Sequence, residues 1–176
     1  MNLRIIDKDD EQSLLLQNEA FAIFGEINIK RNSGKWDYEI EKYDQKDVRK
    51  QIFPDENYKL EDINKNGFAI GAFDKGKIIG LAIFNDQWNK YLYLEDLKVS
   101  EKYRRKRVAH LLLKLAEKIA KEKKYKGFWT IGQNNNVAAC MFYLKYGFEI
   151  GGLDTKVYDH TSQNGKQNIH FYYDFL

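Results

Sequence analysis

The chain has 176 residues, 43% of them hydrophobic and 31% charged, the usage of a globular domain with a real core. No apolar run approaches the roughly 20 residues that a bilayer helix needs. The N-terminal MNLRIIDKDDEQ turns acidic too early for a signal peptide, and a lone cysteine, Cys140, allows no intrachain disulfide, so a reducing, cytoplasmic setting is expected. Net charge is +3 but uneven: residues 1–97 hold 14 Lys/Arg against 19 Asp/Glu, a balance of −5, and residues 98–176 hold 15 against 7, a balance of +8. An acidic half beside a basic half fits one cationic and one anionic ligand, although a solvated lysine-rich surface gives the same count.

In chain order, Leu3–Asp7 reads as a short first strand. Glu11–Phe24 reads as a helix, with Leu14, Leu15, Phe21 and Ala22 as its apolar stripe. Ile29–Tyr58 is charged, aromatic and weakly periodic, and reads as helix and loop. Gly67–Phe73 and Ile78–Asn85 read as strands joined by a tight turn at Asp74-Lys75-Gly76-Lys77. Tyr91–Val99 follows as a central strand covered on both sides, with Tyr91, Tyr93, Leu97 and Val99 on one face and Leu92 and Leu94 on the other. Val108, Leu111, Leu112, Leu115 and Ile119 recur at helical spacing in a helix that ends before Gly127. Phe128–Ile131 reads as a strand, Asn136–Tyr146 as a helix and Phe148–Leu153 as a strand. Lys156–His160 and Asn168–Phe175 are expected to close the fold as an antiparallel pair. There is no internal repeat and no linker composition, so residues 1–176 are expected to form one α+β domain, a mixed central β-sheet flanked by helices.

Two blocks carry chemistry. In the first, LEDLKVS leads through EKYRRKRVAH into the leucine-rich helix, with the cations Arg104, Arg105, Lys106 and Arg107 just before it. A helix N-terminus offers unpaired N–H groups and partial positive charge, so this turn can hold a diphosphate. A solvated basic turn or a nucleic-acid patch is the alternative, but no extended basic face accompanies it. In the second block, QNNNVAACMFYLKYGF, Asn136 can cap a helix and Gly147 suits a left-handed C-terminus. Cys140 reads as a small buried residue. His160 and His170 show no metal spacing, and no metal is expected.

Together the blocks resemble the two acetyl-CoA motifs of the GCN5-related (GNAT) N-acetyltransferase superfamily. Arg104 and Ala109 stand at the first and last positions of its R/Q-x-x-G-x-G/A loop. Asn136, Ala139, Phe142, Tyr143, Gly147 and Phe148 meet N-x-x-A-x-x-F-Y-x-x-x-G-F in full. WNKYLYLEDLKV, QNNNVAACMFY and YGFEIGGLDTKVY, with Phe21, Phe24, Gly25 and Trp36, are similar to streptothricin (nourseothricin) acetyltransferases, which acetylate an amine of the antibiotic's β-lysine arm.

The resemblance implies a GNAT-like fold and acetyl transfer from acetyl-CoA to a primary amine within a ternary complex. It implies coenzyme contacts from Leu97, Lys98 and Val99 along pantetheine, from Arg104 to Arg107 with Val108, Ala109 and His110 at the phosphates, and from Asn136, Ala139, Phe142 and Tyr143. Tyr143 is implied to serve the departing sulfur. Glu95 and Asp96 are the candidate bases and the groups that would hold a cationic amine. Alternation sends them to opposite faces unless the strand bulges, and a buried salt bridge is the alternative role. Tyr93, Trp88 and Tyr158 are candidates for the acceptor cleft, though each also reads as packing, as do Trp36 and Tyr38.

Two departures from the family pattern stand out. Arg107 occupies a glycine position of the loop, where it can contact phosphate or obstruct it. Thr130-Ile131-Gly132 lacks a glutamate that some relatives use as base. The expected partner is a small cationic amine, streptothricin-like, with no nucleic acid and no membrane; a homodimer is left open. A polyamine, an aminoglycoside or a protein amine as acceptor, or an acetyl-CoA-binding module without turnover, are the rival expectations.

Overall fold

Glycine-punctuated runs of apolar residues set several strands of the computed structural model, which describes residues 1–176. The first elements are β1 (Asn2–Ile5), a 3-10 segment (Lys8–Leu15), β2 (Phe21–Ile23), β3 (Gly25–Asn32), β4 (Lys35–Lys42), a 3-10 turn (Gln45–Asp47) and β5 (Arg49–Gln51). Next come α1 (Leu60–Lys65), β6 (Gly67–Asp74), β7 (Lys77–Asp86), β8 (Tyr91–Val99) and a 3-10 turn (Glu101–Tyr103). The chain closes with α2 (Val108–Glu122), β9 (Gly127–Gln133), α3 (Val137–Tyr146), β10 (Glu149–Asp154) and β11 (Asn168–Asp174). The fold is α+β, and its mixed seven-stranded sheet runs β1-β6-β7-β8-β9-β11-β10. The chain clusters into two compact units: Met1–Glu19 with Phe53–Phe128 and Asp174–Leu176, and Ala20–Ile52 with Trp129–Tyr173.

In the first unit β1, β6, β7 and β8 pair antiparallel. The β6–β7 turn is tight because Lys75 and Gly76 both take positive φ, 49° and 78°, the twist that a two-residue hairpin needs. One sheet face buries Ile6, Leu14, Leu60, Ile63, Ala69, Phe73, Leu81 and Ile83 in a single cluster. On α2, Val108, Leu112, Leu113, Ala116 and Ala120 are buried. A Cβ on Gly80 would lie 2.8 Å from Val108 Cγ1, so glycine permits that close packing. The buried stripe is rotated from the expected one, and Leu111 is exposed.

Three expectations need correction. Glu11–Phe24 is a 3-10 segment followed by extended chain, not a helix. Its leucines are adjacent rather than spaced, so only Leu14 is buried, while Asn18 is held by Asp55, Pro54 and Glu56. Ile29–Tyr58 holds most of a hairpin, β3–β4, whose turn takes positive φ at Ser33 (49°) and Gly34 (82°). Lys156–His160 is not a strand. Asp154 Oδ1 accepts from the N–H groups of Lys156 and Val157 and turns the chain, and β11 pairs with β10.

Candidate active site

In the first unit, β8 changes phase partway along. Phe84 of β7 pairs with Leu94, but Ile83 pairs with Asp96, so Glu95 is an extra residue. Such a bulge switches the side-chain alternation. Leu97 and Val99 therefore share the face of Leu92 and Leu94, while Asp96 and Lys98 join that of Tyr93. This corrects the expected grouping of Tyr91 and Tyr93 with Leu97 and Val99. Glu95, at the bulge, is exposed and accepts a hydrogen bond from Asn85 Nδ2.

Asp96 and Lys98 are part of a buried charged cluster. The Lys98 side chain is 7% exposed. Its ammonium bonds the Glu56 carboxylate, donates to the Leu16 carbonyl at 3.2 Å and lies 3.2 Å from Asp96 Oδ2. It also sits 5.7 Å from the Tyr58 ring centroid. Asp96 Oδ2 is buried without an aligned hydrogen-bond donor. Burial raises Asp96 from an ordinary 3.8 to about 6, with Lys98 opposing and Glu56 adding to the rise. Burial also works against the Glu56 charge, but hydrogen bonds from Lys98 and Asn18 outweigh it, leaving Glu56 below the usual range. Burial, then the charges of Asp96, Glu95 and Glu56, raise the Tyr58 phenol. Asp96 is thus a desolvated carboxyl that holds its proton more tightly than an exposed one.

Beyond β8 the chain enters the basic loop. Arg104 turns inward: its Nε donates to the Val99 carbonyl at 3.2 Å and its guanidinium lies 3.6 Å from Glu19. It fastens the loop to the strand. Arg105, Lys106 and Arg107 are exposed, and Lys106 lies 5.2 Å from the Tyr103 ring. Arg105 and Arg107 are both left-handed, with φ of 61° and 64°. Arg107 therefore keeps the backbone form that glycine adopts freely, and it caps α2 without a side-chain bond. Val108 is buried, Ala109 half-buried and His110 exposed, all in the first turn of α2. Left-handed residues alternating with right-handed ones before a helix N-terminus are the backbone pattern of an anion-binding concavity, and here the three residues that carry it or lie within it are exposed cations. This donor set fits the diphosphate of a coenzyme.

In the second unit the second motif folds as a capped helix. Asn136 Oδ1 accepts from Ala139 N at 3.2 Å. Gly147 ends α3 at φ 118°, with its N–H on the Tyr143 and Leu144 carbonyls. Tyr143 is 8% exposed, its ring 5.4–5.6 Å from those of Phe142, Phe148 and Phe171. Cys140 is buried, and desolvation pushes its thiol up to about 12. A Cβ on Gly132 would meet Cys140 Sγ and Phe171 at 3.0 Å, so glycine there lets α3 lie close on β9.

The acceptor candidates divide. Tyr93 is half-buried on the Asp96 face of β8, while Trp88 is 92% exposed on the β7–β8 turn. In the second unit the Tyr158 hydroxyl accepts from Gln133 Nε2 at 2.7 Å and donates to Asn168 at 2.9 Å. Trp36 lies 5.2 Å from the Arg31 guanidinium, and Tyr38 is 36% exposed. Sequence reasoning missed the Lys98 side chain, Glu56 and Tyr58. A lysine two residues after Asp96 was a readable signal; nothing in the sequence linked either to Glu56.

No helix is long and apolar enough to cross a membrane. The Acetyltransferase (GNAT) family model matches residues 33–148. The chain is 32% identical to streptothricin acetyltransferase A of Bacillus subtilis (strain 168), covering 90% of this chain and 91% of that one. A streptothricin acetyltransferase of Escherichia coli is 33% identical over 65% of this chain and 66% of its own. A Bacillus anthracis str. Ames protein assigned as a streptothricin acetyltransferase, crystallised with acetyl coenzyme A, superposes with a TM-score of 0.88 at 29% identity over 99% of both chains. The capped loop, the capped second motif and these similarities lead to one conclusion: the chain is an N-acetyltransferase and belongs to the GNAT family.

Proposed function

We propose that this acetyltransferase uses acetyl-CoA to acetylate a primary amine of a small cationic acceptor, with streptothricin as the favoured substrate, in the cytoplasm. The observation that carries the acceptor chemistry is Asp96, a buried carboxylate titrating near 6 beside the coenzyme-binding stretch of β8. An ammonium entering such a place loses hydration, and only opposite charge offsets that loss. Asp96 holds the ammonium and takes its proton, and Glu95 adds negative charge at the exposed edge of the bulge.

Acetyl-CoA supplies the thioester. The Arg105–Arg107 cations and the first turn of α2 bind its diphosphate, and Arg104 keeps that loop in place. Main-chain groups of Leu97, Lys98 and Val99 hold the pantetheine arm as an added strand would, and one N–H stabilises the oxyanion. The freed amine nitrogen bonds the acetyl carbon, the carbon–sulfur bond breaks, and the Tyr143 hydroxyl gives the sulfur its proton. The names of the curated relatives support streptothricin as acceptor.

The test is acetyl-CoA turnover, read as thiol release, across streptothricin, spermidine, an aminoglycoside and a lysine peptide. Streptothricin is expected to give the highest kcat/KM by at least tenfold. A higher value for any other amine would reassign the acceptor, and absence of turnover with every amine would refute the reading.

A further inference from the structure

The second unit contains a cavity of about 540 Å³ that borders the second motif block only at Asn135, within the size range of small-molecule sites. Its walls come from β5, from the β3 residue Glu26 and from the turn before β11. Arg49, Lys50 and Lys166 converge on it, with Glu26 as their only carboxylate neighbour in the lining. Glu26 is already engaged by the Tyr43 hydroxyl at 2.6 Å. None of the three cations has a carboxylate within ion-pair distance.

Lys166 is held by neutral groups. Its ammonium donates to Gln51 Oε1 at 3.0 Å and Gln163 Oε1 at 2.9 Å, leaving one of three donors unused. Burial, then the nearby Arg49 charge, lowers its proton affinity. Asn135 also lines the cavity; it is 2% exposed, with neither its amide nitrogen nor its oxygen hydrogen-bonded to protein. A buried carboxamide without partners is costly. Three cations without a carboxylate partner, beside a carboxamide whose N–H groups have no acceptor, form a site short of negative charge.

We propose that this cavity is an oxyanion-binding site, in which Arg49, Lys50, Lys166 and the Asn135 amide bind a phosphate or carboxylate group of a small molecule. The charge excludes a polycationic occupant, so the site does not hold the amine that is acetylated. Two sources share this chemistry: a phosphate of the coenzyme, and a separate anionic metabolite.

Isothermal titration of inorganic phosphate, and separately of acetate, into the full chain tests the site, with and without saturating acetyl-CoA. The parent is expected to bind at least one of them saturably, and Arg49→Gln and Lys166→Gln to weaken that binding at least tenfold. Lys166→Gln removes a charge with no counter-ion, so it is expected to melt no lower than the parent. Binding that persists with acetyl-CoA present identifies a separate metabolite. Binding that acetyl-CoA abolishes, together with weaker acetyl-CoA affinity in both variants, identifies a coenzyme phosphate. Absence of saturable binding, or equal binding by both variants, overturns the proposal. On the unmodified protein, the Asn135 side-chain NH2 resonances are expected to move along the phosphate titration with the same midpoint; resonances that stay still overturn it as well.

Discussion

Replacing Asp96 with asparagine separates stability from catalysis in a way the structure makes quantitative. Burial lifts the folded-state carboxyl from 3.8 to about 6, so the folded protein holds this proton more tightly than the unfolded chain. The associated stabilisation is complete below about 3.8 and is lost as pH rises through about 6. The displacement corresponds to ~3 kcal/mol. Asparagine keeps the shape and removes the titration. Urea unfolding of parent and Asp96→Asn at a series of pH values should therefore show a stability difference that moves in favour of the variant by most of that amount, ~2 kcal/mol, between pH 4 and pH 7. Above about pH 6, where the parent carboxylate is ionised, the variant should lose turnover by ~10²–10⁴-fold, the usual contribution of a positioned base. A stability difference that stays flat with pH would show that Asp96 is not a desolvated acid. Parental turnover in the folded variant would remove it from the chemistry.

Other expectations follow from the same residues. Lys98→Met removes the cation that holds Asp96 and Glu56 together; the midpoint of the alkaline-rising pH–rate limb should climb by ~1–2 pH units, and an unmoved midpoint in a folded variant would refute the coupling. Arg107→Gly relieves a left-handed arginine and should stabilise the fold by ~0.5–1 kcal/mol in thermal denaturation, while weakening acetyl-CoA binding by ~1–2 kcal/mol in calorimetry through loss of a phosphate contact. Tyr143→Phe keeps the ring packed between Phe148 and Phe171 and should lower kcat at least ~10-fold with unchanged acetyl-CoA affinity; unchanged kcat would make Tyr143 a packing residue. Cys140, buried with its thiol pushed up to about 12, should resist iodoacetamide at pH 8 until urea unfolds the chain.

The two motif blocks were readable because each combines a strong local pattern with a fixed turn. The β6–β7 turn, the run of α2 and the Asn136 cap all follow from residues within a few positions of one another. Beyond these, the sequence was less informative. The β3–β4 hairpin was missed because Lys30, Arg31, Asp37, Glu39 and Glu41 mask its alternation, although Ser33-Gly34 was a usable turn signal. The segment Glu11–Phe24 was misread because contiguous leucines raise apolar content without supplying a helical stripe. In the site, Asp96 was named from its place in an apolar strand, whereas Glu56, which shares Lys98 with it, lies 40 residues earlier in a stretch with no regular period. A long-range pairing of that kind leaves no local trace.

The extra residue in β8 divides one strand into two segments of opposite phase. Removing Glu95 would restore continuous pairing with β7, but one part of the strand would have to turn over. Either Leu97 and Val99 would face Tyr58 while Asp96 and Lys98 faced α2, or Leu92 and Leu94 would leave the aromatic cluster of Phe84 and Phe128. A single-residue deletion here would therefore act as a conformational frameshift, exchanging the chemistry of the two faces while altering no other letter of the sequence.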